Sequence, residues 1–212
     1  MADQQTATYF WEKCLEITQL TSDAQGEAHA TRSLGMAHES AGDLGAAIKQ
    51  YEQLLRLTQR SGDVPGEQQA NDHLVVAYQA VAAERESAGD LTGAIDFREK
   101  CLEASRAGGD TQKESQAQYN LGMAHEKVGD IENLKKAVGH YEQYLSLAEA
   151  AKDGEAQGAA CNALAQVYQR MQVSPTPRVW RMRGPMCNAS VWGVSQDAYA
   201  SRRSQRCWAC QC

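Results

Sequence analysis

At 212 residues, with 42% hydrophobic and 23% charged side chains, the chain is long enough to bury a sizeable core. Only 4 Pro and 2 Phe beside abundant Ala, Gln, Glu and Leu favour an all-α fold. The formal net charge is −6 and unevenly spread: residues 173–212 hold Arg178, Arg181, Arg183, Arg202, Arg203 and Arg206 against Asp197, which makes that stretch +5 and leaves −11 for the rest. An acidic helical body argues against a nucleic-acid partner, because phosphate contacts need Lys and Arg on the interacting face. The N-terminus MADQQTATYF has no basic region ahead of an apolar core, and no run of about 18 apolar residues occurs, so neither a secretory leader nor a membrane span is expected. Cysteine usage points the same way. Cys14, Cys101 and Cys161 lie inside helical patterns, which suits buried free thiols in a reducing, cytoplasmic setting.

In chain order, residues 1–22 read as a lone helix, since Phe10, Cys14, Leu15 and Ile17 match Phe97, Cys101, Leu102 and Ala104 further on. Asp23, Asp63, Asp110 and Asp153 then open segments of one internal geometry. Seven residues after each stands alanine (Ala30, Ala70, Ala117, Ala160), eleven after stands leucine (Leu34, Leu74, Leu121, Leu164), and fifteen after stands a ring (His38, Tyr78, His125, Tyr168). Four-residue steps place these side chains on one helical stripe. Helix stops follow at Ala41-Gly42-Asp43, Ala88-Gly89-Asp90 and Val128-Gly129-Asp130, where Gly can take the left-handed conformation. A second helix begins after each stop, with Ala47, Ile48, Tyr51, Leu54 and Leu55 in the first copy, Ala94, Ile95, Cys101 and Leu102 in the second, and Ala137, Val138, Tyr141, Tyr144 and Leu145 in the third. The unit is a helix pair. Spacings of 40, 47 and 43 residues between marker aspartates assign seven extra residues to VAAERES at the end of one first helix, and three to IENLKK, between helices.

Leu34-Gly35-x-x-His38, then Gly42, Ala47 and Tyr51, resemble the tetratricopeptide repeat, in its longer form of about 40 residues found in cytoskeletal and ciliary adaptors. His at positions 38 and 125 and Val75 in place of Gly depart from the pattern. The resemblance implies an antiparallel helix-pair solenoid: residues 1–22 as the second helix of an incomplete leading repeat, residues 23–172 as three full units plus a first helix, and residues 173–212 as an irregular basic tail. An unpaired helix at each end suggests a truncated or alternatively spliced product, open to self-association.

The chemical signals are weak. Cys207-x-x-Cys210-x-Cys212 with Cys187 could share zinc, but the second pair lacks the spacing, and no metal or cofactor is expected. Asn188-Ala189-Ser190 has the letters of a glycosylation sequon without a secretory context. The twin His38-Glu39 and His125-Glu126 pairs place each His in the packing stripe and each Glu one residue round the helix, facing the surface. With no catalytic constellation, the chain is expected to be a non-enzymatic adaptor.

In tetratricopeptide folds the first helices line a concave groove. The resemblance maps groove positions onto His29, Arg32, Met36 and Glu39; Gln69, Asp72, Val76 and Gln79; Gln116, Tyr119, Met123 and Glu126; and Asn162, Gln166, Gln169 and Arg170. Asp72 stands where chaperone-binding members need a cation. Glu39, Asp72 and Glu126 favour a peptide or helix of basic character. Two alternatives stand beside groove binding: a structural element using convex surfaces and helix ends, and zinc binding through the tail.

Overall fold

A computed structural model describes residues 2–171. Among them run eight helices: α1 Ala2–Thr21, α2 Ala24–Ser40, α3 Leu44–Ser61, α4 Val64–Ser87, α5 Leu91–Ala107, α6 Thr111–Val128, α7 Ile131–Ala151 and α8 Gly154–Arg170. The main packing partners of each helix are its neighbours in sequence, which is how a solenoid of helix pairs is built. The expected all-α, helix-pair solenoid is what forms.

Local chemistry explains the regularity. Every helix from α2 onward is capped by an aspartate, Asp23, Asp43, Asp63, Asp90, Asp110, Asp130 or Asp153, whose carboxylate accepts a hydrogen bond from a backbone N–H two or three residues on. Each such cap stabilises its helix start by about 1 kcal/mol. Within a pair the reversal is made by Gly42, Gly89 and Gly129, at φ 81°, 81° and 80°, a left-handed backbone that other residues adopt only at a cost.

Packing inside a pair is closest where a ring lies on a glycine. A Cβ added at Gly35 would stand 2.5 Å from Tyr51 Cε1, and one at Gly122 would stand 2.5 Å from Tyr141 Cε1. Only a residue without a side chain lets those buried tyrosines lie flat on the first helix. Most buried apolar side chains fall in two clusters, one centred on Tyr51, Leu74, Tyr78, Leu102 and Leu121, the other on Leu134, Tyr141, Leu145, Leu164 and Tyr168.

The two insertions differ in how they are absorbed. Seven residues go into α4, which spans 24 residues against 17 for α2. The three assigned to a loop around IENLKK instead extend a helix: Asp130 caps α7 directly, and α7 has 21 residues against 18 for α3. A helical turn satisfies its own backbone groups, whereas a longer loop would leave them to solvent. The thiols also differ from expectation, with Cys101 buried, Cys161 half-buried and Cys14 exposed.

One polar cluster lies within the third pair. His140 stacks on buried His125, with ring centroids 5.3 Å apart, and its Nδ1 lies 2.8 Å from Gln118 Oε1. Burial, with the positive charges of His125 and Arg106 adding to it, lowers His140 to about 4; burial also lowers His73, which stacks on Tyr51. A histidine whose folded pKa lies below its unfolded value contributes stability that is complete above about pH 6.5 and is lost as pH falls towards 4. Discounted for partial exposure, the loss at His140 is about 1–2 kcal/mol. Urea midpoints measured from pH 7 to pH 4 are expected to fall in step, and His140→Gln to flatten the curve; an unchanged slope would show that burial does not depress His140.

Candidate protein-binding groove

The first helices α2, α4, α6 and α8 carry all sixteen residues mapped to a groove. Thirteen residues after their capping aspartates, Met36, Val76 and Met123 stand 49%, 51% and 38% exposed. Apart from Val64, at the start of α4, they are the large apolar side chains left exposed on these helices among the described residues. Gln166 holds the same register on α8 and is exposed too. His29, Gln69, Gln116, Asn162 and Gln169 are exposed, whereas Gln79 and Tyr119 are half-buried. Tyr119 packs against the rings of Tyr141 and Tyr144, at 5.8 and 5.1 Å between centroids.

Each charged member is engaged with a neighbouring side chain. Arg32 donates to Gln69 Oε1 at 2.9 Å, joining α2 to α4, and Lys113 pairs with Asp72, joining α6 to α4. Nearer the helix ends Lys127 pairs with Glu86, and Arg170 lies 3.2 Å from Glu126 while also donating to its backbone carbonyl at 3.0 Å. Two rows of polar bridges therefore tie successive first helices together. Asp72 and Glu126 are neutralised by these cations; Glu39 has no cation within ion-pair distance among the described residues.

Glu39 and Glu126 also turn out to face inward. Tyr51 Oη donates to Glu39 Oε2 at 2.6 Å and Tyr141 Oη to Glu126 Oε2 at 3.0 Å. A residue one position round from the packing stripe is displaced by about 100°, and a glutamate is long enough to span that arc and accept from a buried phenol. Burial and the adjacent carboxylate push both tyrosines well above their ordinary value. Of the two histidines in the stripe, His125 is buried, with Nδ1 2.7 Å from Asn133 Oδ1, and His38 is half-buried.

The second unit repeats the design with other residues. Arg98 Nε donates to Glu86 Oε1 at 2.6 Å, twelve residues apart like Glu39 and Tyr51, and the buried Ala82 stands four residues before Glu86 as Gly35 stands before Glu39. Glu86, rather than the mapped Gln79, is thus the counterpart of Glu39. Aligning from the start of α4 hides this, because the seven added residues lie between. The signal was present: ESAGD occurs verbatim at residues 39–43 and 86–90.

Among solved structures, the chain resembles the Signal Transduction ATPase with Numerous Domains protein with a tetratricopeptide repeat sensor from Pyrococcus horikoshii, at a TM-score of 0.50 and 17% identity over 84% of this chain and 25% of that one. The fold is a tetratricopeptide-like repeat. Other similar structures are BtubC from P. vanneervenii (TM-score 0.47, 17% identity, 87% of this chain and 74% of that one) and a Podosopora anserina putative kinesin light chain with nearly identical TPR-like repeats (TM-score 0.46, 17% identity, 81% and 80%). No family model and no curated protein sequence matches the chain.

No three His, Cys, Asp or Glu side chains among the described residues are grouped so as to hold a metal ion, and none of the described helices is long and apolar enough to cross a membrane. The proposed zinc cysteines Cys187, Cys207, Cys210 and Cys212, and the sequon at Asn188, lie outside the described residues.

Proposed function

We propose that the chain is a non-enzymatic adaptor that binds a peptide or helix of a protein partner along the first helices. The observation that carries this reading is the exposure of Met36, Val76 and Met123 at one register of an array whose charged neighbours are already paired. Methionine offers polarisable, adaptable contact area, and exposed Gln69, Gln116, Gln166 and Gln169 can meet a peptide backbone. With Asp72 and Glu126 neutralised, selectivity for a basic partner rests on Glu39 and on the acidic body as a whole, which attracts such a segment at long range. Apolar anchoring does more of the work than the sequence suggests. The long repeat type favours a cytoskeletal or ciliary assembly in the cytoplasm as the setting.

Selection of a random peptide-phage library on the whole chain tests the reading. Selected peptides are expected to carry an apolar residue within one or two turns of Lys or Arg. Met36→Glu combined with Met123→Glu is expected to weaken them at least tenfold with circular dichroism unchanged, while Lys49→Glu on α3 leaves them bound. Peptides that bind the double variant as well as the parent would place the site elsewhere.

A further inference from the structure

Near the ends of α2, α4 and α6 stand three glutamates, of which two are held from two sides at once. Glu86 accepts from Arg98 of its own pair through Oε1 and from Lys127 of the next first helix through Oε2. Glu126 accepts from Tyr141 through Oε2 at 3.0 Å and from Arg170 of the next first helix through Oε1 at 3.2 Å. Glu39 is held from one side. Its Oε2 accepts from Tyr51 at 2.6 Å, and its Oε1 meets no donor among the described residues. The local sequence does not explain the difference, because LGMAHE at 34–39 is repeated letter for letter at 121–126 and both glutamates face a buried tyrosine. The next first helix does.

Lys127 and Arg170 each stand seventeen residues after the aspartate that caps their helix, and on α4 that place belongs to Ala80. Residues 74–83 of α4, LVVAYQAVAA, hold no charged side chain, so no shift of one helix along the other brings a cation to Glu39. Nearby basic groups are committed or uncharged: Arg32 donates to Gln69, and burial lowers His73, which stacks on Tyr51, below its ordinary value. What faces the open oxygen is apolar. Two turns on from the bond between Arg32 and Gln69, α2 presents Glu39 and α4 presents exposed Val76, while exposed Met36 lies one turn before Glu39. A carboxylate fixed by a phenol has little side-chain freedom left to lose on pairing, and beside apolar surface it is screened less than in open water. The stem of a Lys or Arg can lie along that same surface.

On the reading that the first helices bind a protein segment, we propose that the partner brings the cation missing from Glu39. A lysine or arginine of the bound segment donates to Oε1, its stem along Met36 and Val76, in the place that Lys127 and Arg170 fill at Glu86 and Glu126. The seat also gives the groove a direction. Met123 stands one turn before Glu126, which Arg170 already satisfies, so the same hexapeptide takes a cation over α2 and an apolar side chain alone over α6.

The probes that test this are peptides selected from the phage library on the whole chain, each synthesised with its Lys or Arg and again with norleucine in that place. Fluorescence anisotropy on the parent is expected to show at least a tenfold loss for the norleucine peptide. Glu39→Gln keeps an oxygen for Tyr51 to donate to; it is expected to bind the original peptide at least tenfold more weakly and to make the two peptides equal. Ala80→Arg supplies the cation from within and is expected to weaken the original peptide as far, with circular dichroism unchanged. Glu99→Gln, at an exposed position on α5, removes the same charge from the body and is expected to leave affinity within twofold. If Met36→Glu with Met123→Glu abolishes binding but Glu39→Gln leaves it intact, the groove stands and the seat at Glu39 falls. Peptides that survive both changes overturn groove and seat together. A loss at Glu99→Gln equal to that at Glu39→Gln also overturns the seat, because net charge alone would then account for it.

Discussion

Tyr141→Ala is expected to be among the most damaging single substitutions in the chain, lowering stability by about 3–5 kcal/mol, measured as a fall in the urea midpoint at constant slope. The ring is 1% exposed, lies against Gly122 and touches the ring of Tyr119. Its removal leaves a void that the glycine backbone has no side chain to fill. Tyr141→Phe separates the hydroxyl from the ring: the lost bond to Glu126 costs about 1 kcal/mol, softened because Arg170 still pairs with that carboxylate. If Tyr141→Ala cost no more than Tyr141→Phe, the ring-on-glycine contact would not be the main determinant of the third pair. Gly122→Val approaches the same site from the other helix, and its methyl groups would be driven into the ring.

Glu86→Ala comes next, at about 2–3 kcal/mol, below the full penalty of a broken buried pair because the cluster is partly wet. Glu86 joins two cations, Arg98 on α5 and Lys127 on α6, and its side chain is 15% exposed beside 16% for Arg98. Burial alone would raise the Glu86 carboxyl, but the hydrogen bonds from Lys127 and Arg98 outweigh it and hold the group below its ordinary value. Because the folded pKa is depressed, the contribution is complete above about pH 4.5 and is lost as pH falls through the folded value. Glu16→Ala supplies the control, since the Lys13–Glu16 pair is more than half exposed and solvent screens such pairs. Equal effects at Glu16 and Glu86 would demote Glu86 to an ordinary surface charge.

The contrast between these sites shows what the sequence could and could not disclose. Capping aspartates and turn glycines act within a few residues, so Asp23, Asp63, Gly42 and Gly129 could be read directly, and the helix pairs with them. The register inside a pair also follows from local counting, provided it starts from the turn; counting from the start of α4 reached Gln79 and passed over Glu86. Pairings between stacked first helices, Arg32 with Gln69, Asp72 with Lys113 and Glu126 with Arg170, span 37 to 44 residues. They depend on how far one helix slides along the next, which no single helix encodes in its periodicity. The inward turn of Glu39 and Glu126 was hidden for a similar reason. Periodicity gives the direction of a Cβ, whereas the reach of a glutamate and the phenol waiting opposite decide where its carboxylate rests.

Because every bridge and every ring seat joins adjacent helices, a change made in one pair is felt by the next and hardly beyond it. Substitutions two units apart should therefore sum in their effects. Met36 and Met123, on α2 and α6, are separated by a whole helix pair and share no partner, so the contact surface can be altered at one end while the other end keeps its affinity. The array behaves less like a single sculpted pocket than like a row of separately adjustable grips.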